Sequence, residues 1–333
     1  MSAPKIENEN EKVAFIIVGW NNKDLLTECF DSIEEQTYSN ITTIYVDNAS
    51  ADGSVQWVQE NYQSVKILAQ PENTGFAKGN NIGIEDALND PDVKYVVLLN
   101  SDARVEKRWV ETMVNFAKQK PKGALFQGTT LDYYNHRIID STHIFVSHNG
   151  QGTQGNWRYY VTNEKGPKKV FGVNAAACMI SRSFIESQPF GREIFDEAMF
   201  MYLEDIDLAA RATILSWDNY LVPGARAYHM GSASSGKNPG FSLYMTFRNN
   251  SCMLFKNFSF MMILRILPKL IRGDIDTIRT LRKIGKKSAS YKVIKGRLVG
   301  LLRLPVFSLK RIKMRKRAQV DERYLWTLMR RGY

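Results

Sequence analysis

Five stretches of the sequence carry side chains whose types and spacing could do chemistry. Asn100, Ser101 and Asp102 follow an apolar run at 95–99 in "YVVLLNSDARV". A carboxylate on a short loop behind a buried strand is a ligand for a hard divalent cation. Magnesium and manganese prefer oxygen donors and commonly bridge carboxylates to substrate phosphates. Asn100 would then hydrogen-bond a sugar or ribose hydroxyl. Glu204 and Asp205 stand side by side in "LEDIDL", ahead of an apolar helical face. Either could serve as a general base for an acceptor hydroxyl. His229, one of 4 histidines, ends the apolar run before "HMGSAS", and neutral imidazole ligates metals. Asp47 in "VDNASADGS" can accept from a base imide or a ribose. In "PENTGFAKGNNIGI", Gly75, Gly79 and Gly83 would let backbone approach a phosphate, with Lys78 to neutralise charge. That stretch is neither the dinucleotide GxGxxG pattern nor a Walker A motif. Each stretch by itself also suits something ordinary: an Asx turn, acids favoured by a helix dipole, a structural histidine.

Alternating elements must position these groups. Apolar runs at 13–20, 41–47, 65–70 and 95–100 read as strands. Amphipathic or helix-like segments at 24–36, 53–62, 79–88 and 108–119 separate them, with Ser54 expected to cap the second. Such alternation means βαβ crossovers and a largely parallel sheet. Ligands of open α/β sheets bind outside the carboxyl ends of the strands. The polar ends "GWNN", "VDNAS", "QPENTG" and "NSDA" all follow strands, so all four are expected on one rim. Residues 123–160 read as strands and loops on the acceptor side of a cleft. A small-residue strand entering a helix follows at 170–186. Further on come a helix within 195–217, with Ile206, Ala210 and Ile214 on one face, and a strand at 219–229.

The remainder differs in kind. From 256 to 333 there are 22 Lys/Arg and 4 Asp/Glu, although the whole chain of 333 residues carries only +11. The body is therefore mildly acidic and the tail strongly basic. Apolar positions such as Ile275, Ile278, Leu281 and Ile284 alternate with Arg279, Arg282, Lys283 and Lys286, as in helices that lie on anionic membrane surfaces. The longest uncharged run in the tail is 8 residues (257–264), well short of the roughly 20 needed to cross a bilayer. A basic tail would also suit nucleic acid. No zinc ligands or RNA-binding aromatic motif accompany it, and the body is acidic, so nucleic acid is the less favoured partner. Cys29, Cys178 and Cys252 form no CxxC or Cys/His cluster, so neither a disulfide framework nor a structural zinc site is suggested. The polar start has no apolar h-region. A cytoplasmic chain is expected, bound peripherally to the inner face of the membrane.

Taken in order, "VGWNNKDLLTECFDSI", "VDNASADGS", "ENTGFAKGNNIGI", "LLNSDARV", "YLEDIDLAAR" and "YHMGSAS" resemble the family-2 glycosyltransferases with the GT-A fold, most of all their rhamnosyltransferase-like branch. The resemblance spans about 12–255. It implies a Rossmann-like, mixed but mainly parallel sheet flanked by helices, followed by the basic helical extension. Implied divisions are a flexible start at 1–11, a nucleotide-binding half at 12–105, an acceptor-side half at 106–255 and the tail at 256–333. By resemblance, Asp47 would contact the donor's base or ribose, with Lys78, Gly79, Asn80, Asn100 and Ser101 also on the nucleotide. Asp102 and His229 would hold Mg2+ or Mn2+, and Asp205, beside Glu204, would be the catalytic base. Asn100 stands where the family's DxD motif has its first aspartate, which leaves one fewer charge on the cation. The implied reaction is inverting transfer of a sugar, rhamnose from dTDP-rhamnose as first choice, to a glycan or polyprenyl-diphosphate-linked acceptor. Galactofuranosyl or hexosyl transfer, and a non-catalytic scaffold of the same fold, are the alternatives.

Overall fold

In a computed structural model of the chain, residues 11–162, 165–231 and 239–330 are described. The expected flexible start falls outside them except for Glu11, as do residues 232–234 of the "GSAS" stretch.

The first half alternates as the apolar periodicity requires: β1 (Lys12–Gly19), α1 (Lys23–Glu34), β2 (Ile41–Asp47), α2 (Ser54–Asn61), β3 (Lys66–Ala69), α3 (Gly75–Ala87) and β4 (Val93–Leu99). Next come β5 (Ala103–Val105), α4 (Trp109–Ala117), β6 (Gly123–Asp132), β7 (Ile139–Ser141), β8 (His143–Val146), β9 (Gly152–Gly155), β10 (Lys168–Val170) and β11 (Ala177–Ser181). The body closes with α5 (Arg182–Ser187), a single 3-10 turn (Glu197–Met199), α6 (Glu204–Ile214) and β12 (Asp218–His229). Among the described residues five helices follow: α7 (Pro239–Asn257), α8 (Phe260–Lys283), α9 (Lys287–Leu302), α10 (Leu304–Arg317) and α11 (Glu322–Arg330).

One sheet organises the body, in the order β10-β12-β6-β11-β4-β1-β2-β3, with β5 added to β12 and β7 to β6. The pairs β1–β2, β1–β4, β2–β3 and β6–β12 are parallel. Strand β11 runs antiparallel between β4 and β6. The sheet is therefore mixed and mainly parallel. Side chains alternate across it, as strand geometry dictates. Val13, Phe15 and Ile17 of β1 face a core with Trp109, Val110 and Met113 of α4. Ala14 and Ile16 face the opposite core, with Ile84 of α3 and Phe184 of α5.

Two details depart from the periodicity. Helix α3 begins at Gly75, earlier than 79, because Gly75 supplies a left-handed turn (φ +81°) that an L side chain would strain. The start of α2 is held by Asp52 rather than by a Ser54 cap. Gly53 turns the chain at φ +80°, and Asp52 Oδ1 accepts from both the N–H (3.1 Å) and the O–H of Ser54.

The change of composition at Lys256 is not a break in packing. Helix α7 runs through it, and Lys256 is fully buried between Asp196 (2.6 Å) and Asp207 (2.8 Å). Lys310 of α10 reaches the same Asp196 (2.8 Å) and Glu193 (2.6 Å). No described helix is long and apolar enough to cross a membrane.

Candidate active site

The chain crosses over between β1 and β4, and the carboxyl ends of the strands there open into a cavity of about 740 Å³. All four polar strand ends reach it: Trp20 and Asn22 after β1, Asn48 after β2, Asn73 and Gly75 before α3, and Asn100, Ser101 and Asp102 after β4. They are laced together. Asn22 Nδ2 donates to Ser101 Oγ. Asn48 Nδ2 donates to the Gly75 carbonyl (3.1 Å), and its Oδ1 accepts from the Thr74 hydroxyl (2.8 Å). The backbone N–H of Ala51 donates to Asn21 Oδ1 (2.7 Å).

His229 arrives by strand pairing. It lies opposite Ala103 in the β5–β12 ladder, and the Met230 N–H donates to the Asp102 carbonyl (3.0 Å). Residues far apart in sequence thus meet with His229 Nε2 3.3 Å from Asp102 Oδ1. On the other side β7 pairs with β6 and β6 with β12, which brings in Asp140. The Nδ1–H of His229 donates to Asp140 Oδ2 (2.9 Å). Burial works against a charge on the imidazole, but the hydrogen bonds and charges of Asp102 and Asp140 override it and push its pKa up to about 10.

Glu204 and Asp205 open α6 and both line the cavity. A loop with Asn174 at its head ties them to the β4 end. The Ala176 carbonyl accepts from the Asn100 N–H (2.8 Å), and the Ala175 N–H bonds the Asp205 carboxylate. Asp205 Oδ1 also accepts from the Ile206 N–H (2.7 Å). Burial raises the pKa of both acids, further in Glu204, where the adjacent Asp205 charge adds to it. Glu204 Oε2 is buried with no hydrogen-bond partner.

Four expected nucleotide contacts lie elsewhere. Asp47 is buried and spent on its own loop, accepting from the Ser50 N–H (2.9 Å) and the Tyr45 hydroxyl (3.2 Å). Gly79 faces the sheet: a Cβ there would meet Val18 Cγ1 at 2.8 Å, so its role is close packing of α3 on β1. Asn80 Nδ2 donates to the Phe76 carbonyl within the helix (2.9 Å), and Lys78 points to solvent. None of the four lines the cavity, because α3 already begins at Gly75 and carries them past the rim. Sequence patterning did not single out Trp20, Asn48, Asp140 or Asn174. The "GWNN" and "VDNAS" strand ends held a signal for the first two. Asp140 lies in irregular sequence with none, and Asn174 lies in a stretch that reads as strand, although β11 begins only at Ala177.

The chain that forms this cavity, at a crossover of a mainly parallel sheet, is similar to known proteins in sequence and in fold. The sequence model of "Glycosyl transferase family 2" fits residues 14–187. The chain belongs to that family. Among curated relatives, it is 28% identical over 160 residues to the glycosyltransferase GlyG of Streptococcus pneumoniae, covering 46% of this chain and 45% of GlyG. It is 24% identical over 229 residues to the N-acetylglucosaminyl-diphospho-decaprenol L-rhamnosyltransferase of Mycobacterium tuberculosis, covering 64% of this chain and 74% of that one. For GlyG and for GlyA of the same organism, the match spans less than half of the relative's length. Among solved structures, GalNAc-T7 with UDP, GalNAc and Mn2+ superposes with a TM-score of 0.59 at 14% identity, over 75% of this chain and 48% of that one. The TarS 1–349 fragment of S. aureus does so at 0.53 and 15%, over 92% and 88%. Both solved structures share the fold of this chain.

Among the described residues no cluster of three or more His, Cys, Asp or Glu is arranged to hold a metal. The two donors present nevertheless fit one. Adjacent ligands of an octahedral cation, each about 2.1 Å from it, lie about 3 Å apart, close to the 3.3 Å between Asp102 Oδ1 and His229 Nε2. With Nδ1–H held by Asp140, a cation between Nε2 and the Asp102 carboxylate would take the place of the Nε2 proton that otherwise bridges them.

Proposed function

We propose that the protein is an inverting glycosyltransferase that moves a sugar from a nucleotide-sugar donor to an acceptor hydroxyl. The observation that carries this reading is that one cavity gathers residues 100–102, His229, Glu204 and Asp205. Asp102 and His229 would hold a divalent cation, Mg2+ or Mn2+, beside the space the donor's diphosphate would occupy. Such an ion supplies charge neutralisation for the departing nucleoside diphosphate. Asp140 fixes the imidazole tautomer and orientation. Trp20 and Asn48 lie at the β1 and β2 ends, where a nucleotide would enter, and Asn100 and Ser101 border the same space.

Asp205 accepts the proton of the acceptor hydroxyl as that oxygen attacks the anomeric carbon. The Ala175 and Ile206 N–H groups keep its carboxylate oriented and favour its charged form against burial. Glu204 remains protonated further into the alkaline range and contributes a second polar wall. Support for rhamnose as the sugar is the extent of the match to the mycobacterial rhamnosyltransferase. A lipid-linked acceptor, and work at an anionic membrane surface through 256–333, accord with the basic tail and with its exposed apolar side chains.

A donor-hydrolysis screen across nucleotide sugars, with Mg2+ or Mn2+ and then with EDTA, tests the reaction. dTDP-rhamnose is expected to be cleaved, and cleavage to fall on chelation. Asp205→Asn is expected to keep donor binding and to lose transfer by at least about a hundredfold. Near-normal turnover in that variant would sink the assignment of the base.

A further inference from the structure

A second, smaller hollow of about 280 Å³ adjoins the main cavity and shares Phe241 with it. It is lined by Phe241 and Tyr244 of α7 and by Lys292 and Lys295 of α9. Its formation follows from two glycines. A Cβ on Gly296 would meet the Tyr244 carbonyl oxygen at 2.6 Å, and one on Gly300 would meet that of Arg248 at 2.6 Å. Their absence lets α9 lie with its backbone against α7. That contact brings the lysines beside the aromatic pair, with Lys295 Nζ 6.0 Å from the Tyr244 ring centre.

The charge here is one-sided. Neither α7 nor α9 contains an Asp or Glu. The neighbouring Arg297 is matched by Asp274 of α8 (2.6 Å). Among the described residues no ion pair is recorded for Lys292 or Lys295. Two ammonium groups and a phenol around a hollow form a site for an anion with several oxygens. Beyond it, α9 exposes Tyr291, Leu298, Leu301 and Leu302 to solvent, an apolar surface suited to a hydrocarbon chain.

We propose that this hollow binds the phosphate or diphosphate of an acceptor that carries an apolar chain, holding it beside the cavity where its sugar hydroxyl reacts. This rests on the transferase reading of the main cavity and adds a second anion site, independent of the donor's diphosphate. The shared Phe241 is the wall between them. The one-sided charge distinguishes the acceptor's phosphate from its sugar, which needs neutral hydrogen-bonding groups.

Farnesyl diphosphate, a soluble prenyl diphosphate, serves as the probe. It is titrated in EDTA, so that no cation bridges it to Asp102. Wild type and the charge-matched control K313E/K316E on α10 are expected to bind alike. K292E/K295E is expected to bind about tenfold more weakly or worse, with unchanged circular dichroism and melting. Equal weakening in both double variants, or none in K292E/K295E, overturns the site. Phosphatidylcholine vesicles with and without phosphatidylglycerol separate the two sources of phosphate. If K292E/K295E loses phosphatidylglycerol binding but keeps farnesyl diphosphate, the hollow reads lipid headgroups and the acceptor assignment falls. Wild-type donor hydrolysis is measured separately. Its absence for every nucleotide sugar would sink the transferase reading, whereas a flat farnesyl diphosphate titration beside normal hydrolysis would sink only this site.

Discussion

Glu204 and Asp205 are adjacent in sequence yet differently supported. The Asp205 carboxylate takes two backbone N–H bonds, while one oxygen of Glu204 is buried without a partner. Burial raises both pKa values above those of ordinary carboxyls, which in the unfolded chain titrate near about 4. A base must be deprotonated to act. The rate of transfer is therefore expected to rise with pH along a limb displaced above the usual carboxylate range, read as kcat/KM against pH. For stability the sign is opposite. A carboxyl whose folded pKa is raised stabilises the fold fully below its unfolded pKa, and that stability is lost as pH rises through the folded value. Glu204→Gln removes the titration. Its melting temperature is expected to exceed wild type increasingly from about pH 5 to about pH 8, at roughly 2–4 °C for each kcal/mol recovered. A constant difference across that range would show that Glu204 ionises in the folded protein as readily as in the unfolded chain.

The loop that delivers these acids to the cavity is held by a different element. Phe200, Tyr202 and Leu203 all have positive φ (64°, 71° and 67°) without being glycine, a conformation that costs about 1–3 kcal/mol per residue and collects at functional sites. Asn249 of α7 holds it: its Nδ2 donates to the carbonyls of Met199 (2.9 Å), Met201 (2.9 Å) and Tyr202 (2.8 Å). Asn249→Ala is expected to lower kcat about tenfold while changing donor affinity less, with faster hydrogen exchange over 199–203. Asn249→Asp should be worse, because a carboxylate would face three carbonyl oxygens. Equal, normal turnover in both variants would show that the loop holds itself. This dependence explains what could be read in the sequence. The strands β1, β2 and β4, their polar ends and the start of α6 are written locally, as apolar runs that break into Asn and Asp. The meeting of Asp102 with His229 depends on β5 pairing with β12, and Asp140 depends on two further ladders. The three-residue β5 is too short for a periodicity. For Gly79 the local signal misled, since a glycine needed to pack α3 on β1 looks like one needed beside a phosphate.

At the scale of the whole molecule, the basic tail and the acidic body are joined by buried charge. Asp196, Asp207 and Arg211 belong to the body; Lys256 and Lys310 belong to the chain from 256 on. Lys256 is fully buried, and Asn257 Nδ2 adds a bond to Asp207 Oδ1 (2.7 Å). Burial alone would raise the Asp196 pKa, but Lys256 and Lys310 hold it far below the usual carboxylate range. A depressed carboxylate pKa gives stability that is present above the unfolded value and lost as pH falls through the folded one. Acid is therefore expected to weaken the junction. Removing one partner of such a network leaves a buried charge uncompensated, at a cost of about 3–5 kcal/mol. Lys256→Met is expected to lower the melting temperature of the entire chain in one cooperative transition. The reason is that Phe307 and Met314 of α10 and Leu325, Leu328 and Met329 of α11 share a continuous core with the sheet. A tail that packed as a separate module would instead melt first and alone, leaving the body's transition in calorimetry where it was. That outcome would overturn the view that the basic helices are built into the body.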